Sequence, residues 1–120
     1  MKMYELANNI DLLNEISSWK IGGGKAFELR REMKKITEEL EELEKFRTSL
    51  INKYGSKNEK GQTEVKKDSD SFTDFLKEMN EALSVESSVK VKSILTPDDL
   101  PETISVKHID FLIYIGLLKE

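Results

Sequence analysis

The 120-residue chain lacks cysteine altogether and contains only one histidine, one tryptophan and two prolines. Without cysteine it can form neither a disulfide framework nor a thiolate metal site, and a cysteine nucleophile is excluded. No stretch approaches the ~20 apolar residues of a membrane-spanning helix, so we expect no membrane partner. The 19 basic residues are outnumbered by 23 acidic ones, and the net charge of −4 argues against a nucleic-acid partner. We expect one soluble domain over residues 1–120.

The hydrophobic residues, 38% of the chain, recur mainly with the period of an α-helix. A first amphipathic helix is predicted over residues 3–18, with the following residues on its apolar face. They are Leu6, Ile10, Leu13 and Ile16. Three consecutive glycines then predict a hinge at residues 22–24, because glycine has more backbone freedom to lose than any other residue.

The strongest pattern is a heptad-like row of apolar residues that predicts a long helix over residues 26–54. Its members, which we call the seam, are Ala26, Leu29, Met33, Ile36, Leu40, Leu43, Leu50 and Tyr54. Arg47 is the one interruption, and Phe46 stands beside it. Such a helix would be roughly 43 Å long, whereas a compact domain of this size is about 35 Å across. Either the protein is elongated, or another chain covers part of the seam.

The second half of the chain mixes helical and extended patterns. Gly55 should end the long helix at its C′ position, and residues 55–70 read as a polar loop with a hairpin tip. A helix is predicted over 71–83, a strand over 88–94 from alternating valines and lysines, a helical turn over 97–100 and a helix over 106–115. The predicted class is mainly α with a small β element (α+β): a helical hairpin with one long heptad-like helix, a third helix, a short strand and a C-terminal helix.

No residue pattern indicates catalysis, a cofactor or a metal ion. Gly22–Lys25 lacks the upstream glycine and the following serine or threonine of a phosphate-binding loop, so a hinge is the better interpretation. The acidic run at 38–44 lies in a helix with seven acids and seven bases, which is typical of a solvated face. His108, the single histidine, is read as an ordinary helical residue. We therefore expect a protein that is not an enzyme.

Apolar residues that need a covering surface favour a protein-binding role instead. The candidate partner-binding residues are Trp19, Phe46, Arg47, Val89, Val91, Leu117 and Leu118. Trp19 fits two settings, a core anchor or an exposed binding hot spot. The seam likewise has two explanations, packing within the chain or contact with a protein partner, which includes a homo-oligomer.

The order of elements resembles a family of small uncharacterised proteins from phages and prophages of Gram-positive bacteria, labelled as tail components. The resemblance rests on the helix end Leu50–Gly55, the helix Phe72–Leu83, the Val89-Lys90-Val91 segment, Asp99-Leu100 and Ile104-Ser105. This chain differs in having Ile21 and three glycines before the long helix. The resemblance implies a phage-encoded, non-enzymatic protein.

Two functions follow as expectations. The first is a non-catalytic protein–protein interaction module of a phage, associated with the virion or acting as an assembly factor. The alternative is a phage inhibitor that binds a host enzyme or defence complex directly, as anti-CRISPR and anti-defence proteins do. The expected location is the host cell cytoplasm or the virion.

Overall fold

A computed structural model describes residues 1–119, which form five α-helices, one 3-10 turn and a two-stranded antiparallel sheet. The elements are α1 (Met3–Ala7), α2 (Ile10–Ile16), α3 (Gly23–Tyr54), β1 (Ser56–Lys57), β2 (Thr63–Glu64), α4 (Asp70–Leu83), the 3-10 turn Pro97–Asp99, and α5 (Val106–Ile115). The predicted class, mainly α with a small β element, is confirmed. The dimensions are 52 × 28 × 23 Å, so the protein is elongated along the 32-residue helix α3.

The single helix predicted over residues 3–18 is wrong, because the chain forms two helices, α1 and α2, with a turn at Asn8 and Asn9. The Asn9 side-chain nitrogen donates a hydrogen bond to the Glu5 carbonyl oxygen at 2.6 Å. Asparagine side chains compete in this way for the backbone groups that a continuous helix would use. Leu6 and Leu13 still reach the core from their separate helices.

The predicted hinge at 22–24 is also wrong in position, since α3 begins at Gly23 with Gly22 as its N-cap. The Ala26 amide donates to the Gly22 carbonyl oxygen at 2.8 Å, which closes the first helical turn. The Lys25 ammonium lies 2.6 Å from an Asp99 carboxylate oxygen and holds this turn against the 3-10 turn. The helix is thus stabilised at its start by a contact from the far end of the sequence.

Gly55 ends α3 as predicted, but its backbone is extended (φ −88°, ψ 168°) and not left-handed. Only glycine fits at this position, because a Cβ would collide with the Ile51 carbonyl oxygen. It would also lie only 2.8 Å from the Glu64 carbonyl oxygen. This close approach brings β1 and β2 together in the polar loop, with Ser56 opposite Glu64. The hairpin turns back at Gly61, whose φ is 78°.

The same substitution should have opposite effects at two glycines. At Gly55, alanine should lower the free energy of unfolding by about 1–3 kcal/mol, because backbone atoms must move to admit the Cβ. At Gly24, nothing lies within 4 Å of a Cβ, so alanine should raise stability by roughly 0.5–1 kcal/mol. Urea denaturation of Gly55→Ala and Gly24→Ala measures both. Equal effects at the two positions would contradict the tight contact at Gly55.

The strand predicted over 88–94 is wrong. Residues 87–94, which we call the strap, are extended but pair with no strand in the part of the chain described; isolated bridges flank them at Lys2–Glu86 and Leu95–Leu118. Side chains of α3 take the place of a neighbouring strand. The Lys92 amide donates to Glu32 Oε1 at 2.7 Å, and the Ser88 amide donates to Glu39 Oε1 at 3.2 Å. The strap therefore runs along α3, and Val89 and Val91 pack against the core.

The last part of the chain folds largely as predicted. The helical turn predicted over 97–100 is the 3-10 turn, and the Thr96 amide donates to Asp99 Oδ2 at 2.8 Å at its start. Helix α5 has the predicted bounds, 106–115, and the Ser105 hydroxyl accepts from the His108 amide at its start. Helix α4 begins one residue before its predicted start, at Asp70.

The core joins α1, α2, α3 and α5 through one cluster of buried residues. Its members are Met3, Leu6, Leu13, Ile16, Leu29, Ile36, Leu95, Phe111, Leu112, Leu117 and Leu118. Gly116 adopts the left-handed conformation (φ 94°) and turns the chain back, so that Leu117 and Leu118 enter the core. The Leu95 amide donates to the Leu117 carbonyl oxygen at 2.9 Å and fixes this turn. Contrary to the sequence prediction, Leu117 and Leu118 are therefore not available for partner binding.

Candidate protein-binding site

The chain's own elements bury the seam unevenly. Leu29, Ile36 and Leu50 are buried, whereas Met33, Leu40 and Leu43 are only half-buried. Helix α4 supplies much of the cover, since it packs on α3 more extensively than any other element. No residue of α4 is fully buried, although Phe72, Phe75, Leu76, Met79 and Leu83 all lie on it. The two helices therefore leave apolar surface beside their contact.

Four seam residues, Met33, Ile36, Leu40 and Leu43, form the floor of a groove between α2 and α4, which we call the seam groove. Its volume is about 510 Å³. Nine apolar residues line it, namely Ala7, Ile10, Leu13, Met33, Ile36, Leu40, Leu43, Met79 and Leu83. Ile10 on the α2 wall is 44% exposed and extends the apolar lining of the groove to the solvent.

The rim of the seam groove is polar and internally paired. Arg47 Nη1 lies 3.2 Å from Glu44 Oε1, and Glu41 and Asn14 complete the edge. A concave apolar surface with a few polar groups at its edge is the usual form of a binding site in proteins. From Met33 to Leu43 the floor extends for about 15 Å, the length of roughly three helical turns.

The residues predicted to bind a partner lie in separate places. Arg47 is at the rim of the seam groove, while Phe46, its neighbour in sequence, lines a second groove on the other side of α3. Val89 and Val91 lie on the strap and are half-buried. Trp19 lies at the corner between α2 and α3, half-buried and packed against the core cluster. Of these candidate residues, only Phe46 and Arg47 lie on the C-terminal half of α3.

One polar cluster was not expected from the sequence. The His108 ring is buried, with Nδ1 2.9 Å from Ser105 Oγ and Nε2 2.7 Å from Glu15 Oε2, and its centroid lies 6.4 Å from that of Trp19. Glu15 belongs to α2, His108 to α5 and Ser105 is the N-cap of α5, so no local pattern in the sequence connects Glu15 with the other two. A serine, a histidine and a glutamate in contact are the components of a hydrolytic triad.

The geometry of this cluster fits helix capping better than catalysis. Ser105 Oγ accepts the His108 backbone amide at 3.1 Å, the usual bond of an N-cap. The Glu15 carboxylate lies 2.7 Å from Nε2, yet within the described residues it makes no hydrogen bond with this buried nitrogen. A triad needs that acid aligned with the ring N–H so that it orients the imidazole. The cluster therefore links α2 to α5.

The carboxylates of Glu32 and Asp99 each connect α3 with another segment of the chain. The Lys35 ammonium and the Lys92 backbone amide both donate to Glu32, and these bonds lower the pKa of this buried carboxyl below its ordinary value. The Lys25 ammonium and the backbone amide of Thr96 lower the pKa of Asp99 in the same way. Since Lys25 is paired with Asp99, the glycine-rich start of α3 presents no free lysine to a phosphate.

Within residues 1–119, no group of three or more acidic or histidine side chains is arranged to hold a metal ion, and no helix is long and apolar enough to cross a membrane. No protein-family model, curated protein or solved structure matches this chain. On the surface of the described residues, the largely apolar seam groove has the form of a binding site.

Proposed function

We propose that this chain is a non-catalytic protein-binding module that holds an amphipathic helix of another protein in the seam groove. The observation that carries the proposal is the apolar lining of the seam groove, where Met33, Leu40 and Leu43 are only half-buried beneath the exposed Ile10. Removing such apolar surface from water stabilises a complex by roughly 25 cal/mol per Å².

A helix fits the groove in shape and length. Helices α2, α3 and α4 form three sides, and a fourth helix would complete a small bundle around the seam. Apolar residues at positions i, i+4 and i+7 of a partner helix span about 10.5 Å, which the ~15 Å floor accommodates. The rim of the groove is polar. Its side chains, among them the paired Arg47 and Glu44, can contact polar residues of the partner.

The resemblance to phage and prophage proteins supports a setting for this activity. We propose a phage-encoded protein whose partner is a virion or assembly component, located in the virion or the host cytoplasm. A second copy of the chain is one form that this partner can take. An inhibitor of a host enzyme or defence complex would use the same groove on a host protein.

Ile10→Glu should weaken binding of a neutral amphipathic helix. The probe is a fluorescein-labelled peptide of about 16 residues with leucines at i, i+4, i+7 and i+11 and otherwise alanine and glutamine. We expect its affinity to fall at least about tenfold, because a charge would be buried in the apolar groove. Fluorescence anisotropy measures the affinity, and circular dichroism checks that the variant remains folded.

Phe27→Glu is the matched control, since Phe27 is 51% exposed and lies on the face of α3 opposite the seam. This variant should bind the peptide as the wild type does. Equal affinities for wild type and Ile10→Glu, or equal losses in both variants, would refute the seam groove as the site. Affinity capture from infected cells with the wild type and the Ile10→Glu variant then distinguishes the two proposed functions. Capture of a virion protein supports the phage interaction module, and capture of a host enzyme supports the inhibitor.

A further inference from the structure

The second groove beside α3 has a different chemical character from the seam groove. It lies between α3 and α4 on the other side of Leu43 and has a volume of about 420 Å³. Phe46 and Val85 supply exposed apolar surface in it, being 41% and 57% exposed. Its lining contains four glutamates and no basic residue: Glu39, Glu42, Glu78 and Glu81. We call it the acidic groove.

The four glutamates stand in two pairs on opposite walls. Glu39 and Glu42 are three residues apart on α3, and Glu78 and Glu81 are three residues apart on α4, so each pair lies along one side of its helix. The apolar contact surface of Phe46 and Val85 is therefore flanked by negative charge from both helices.

The nearby cations only partly balance this charge. Lys45 lies 3.5 Å from Glu42, and Lys53 lies 3.5 Å from Glu78, each reaching in from outside the groove lining. The Glu42–Lys45 pair is about three-quarters exposed on both sides. Ion pairs so open to water are weak, and a partner's cations can replace them. The Glu39 carboxylate also accepts hydrogen bonds from the Ser88 amide and hydroxyl of the strap.

We propose that the acidic groove binds a basic amphipathic helix of a partner protein. The partner's apolar stripe would contact Phe46 and Val85, and lysines or arginines on both sides of that stripe would face the two glutamate pairs. Charge complementarity selects this occupant, because an acidic helix of the same shape would meet like charges on both walls. The inference concerns a different surface from the seam groove and does not depend on that groove being occupied.

The test compares two labelled peptides of about 16 residues with the same leucine and valine stripe. One carries lysine at the positions flanking the stripe, and the other carries glutamate there. The lysine peptide should bind the wild type at low ionic strength, and its affinity should fall about fivefold or more as salt is raised to roughly 0.3 M. The glutamate peptide should not bind measurably.

Matched variants separate the groove from the overall negative charge. Glu78→Gln/Glu81→Gln should weaken binding of the lysine peptide about fivefold or more, whereas Glu28→Gln/Glu38→Gln, with the same change in net charge outside the groove, should not. Val85→Asn changes an exposed side chain without altering charge and should also weaken binding. Thermal melting checks the fold of each variant. The Ile10→Glu variant, which changes the seam groove, should still bind the lysine peptide.

Three results would overturn the proposal. Equal weakening by both double glutamine variants would mean that only the net charge attracts the peptide. Equal binding of the lysine and glutamate peptides would mean that the apolar surface binds without regard to charge. Concentration-dependent self-association in analytical ultracentrifugation that Val85→Asn abolishes would assign the groove to a second copy of the chain.

Discussion

Leu112→Ala should lower the free energy of unfolding by about 2–5 kcal/mol, a large fraction of the roughly 5–15 kcal/mol that stabilises a domain of this size. The Leu112 side chain on α5 is completely buried, and the truncation leaves a cavity in the core cluster. Its carbonyl oxygen also accepts from the Gly116 and Leu117 amides at the turn after α5. Disturbing the core at Leu112 should therefore also loosen Leu117.

The measurement is urea denaturation at pH 7, with Val106→Ala as the control on the same helix. Val106 is 73% exposed, so its truncation should change stability by no more than about 0.5 kcal/mol. If both variants unfolded at the same urea concentration, α5 would not pack into the core as described.

Glu32→Ala should have the second largest effect, lowering the free energy of unfolding by roughly 1.5–3 kcal/mol. Glu32 is 5% exposed and accepts from both the Lys92 amide and the Lys35 ammonium. Alanine leaves that amide without its acceptor and removes one of the two α3 glutamates that hold the strap, the other being Glu39. Hydrogen exchange at the Lys92 amide should therefore accelerate by more than global destabilisation alone explains.

Glu32→Gln keeps an acceptor oxygen without the charge and should cost less than Glu32→Ala. The two variants also define a pH dependence. The bonds to Glu32 lower its pKa from 4.5, so its ionisation contributes stability above that value and loses the contribution as pH falls through the lower folded-state pKa. Between pH 7 and 3, the wild type should thus lose more stability than Glu32→Gln. Parallel curves would show that Glu32 is not bonded in this way.

The helices could be predicted from the sequence because their signals are local. The seam predicted α3 up to its end at Tyr54, and the apolar period predicted the bounds of α5, 106–115. The break at Asn8 and Asn9 was missed because an apolar period of three and four residues continues through it. The start of α3 was missed because it depends on Asp99, distant in sequence, and not on the glycines alone.

The strap and the grooves could not be predicted because they depend on contacts between distant residues. Alternating valines and lysines predict a strand, but the acceptor for the Lys92 amide is a side chain sixty residues away. Phe46 and Arg47 could be chosen as candidate binding residues from the sequence because the apolar seam is interrupted there. The walls that place them in two different grooves come from the position of α4, which no local pattern reveals.

The attachment of the strap has a consequence for how this sequence can vary. Glu32 and Glu39 are two helical turns apart on α3 and bond to amides of Lys92 and Ser88, which run in the opposite direction. Because the backbone makes these bonds, most side-chain replacements at Lys90 or Lys92 should leave the segment in place. A one-residue deletion between Ser88 and Lys92 would instead invert the alternation, turning Val91 outward and a lysine toward the hydrophobic interior.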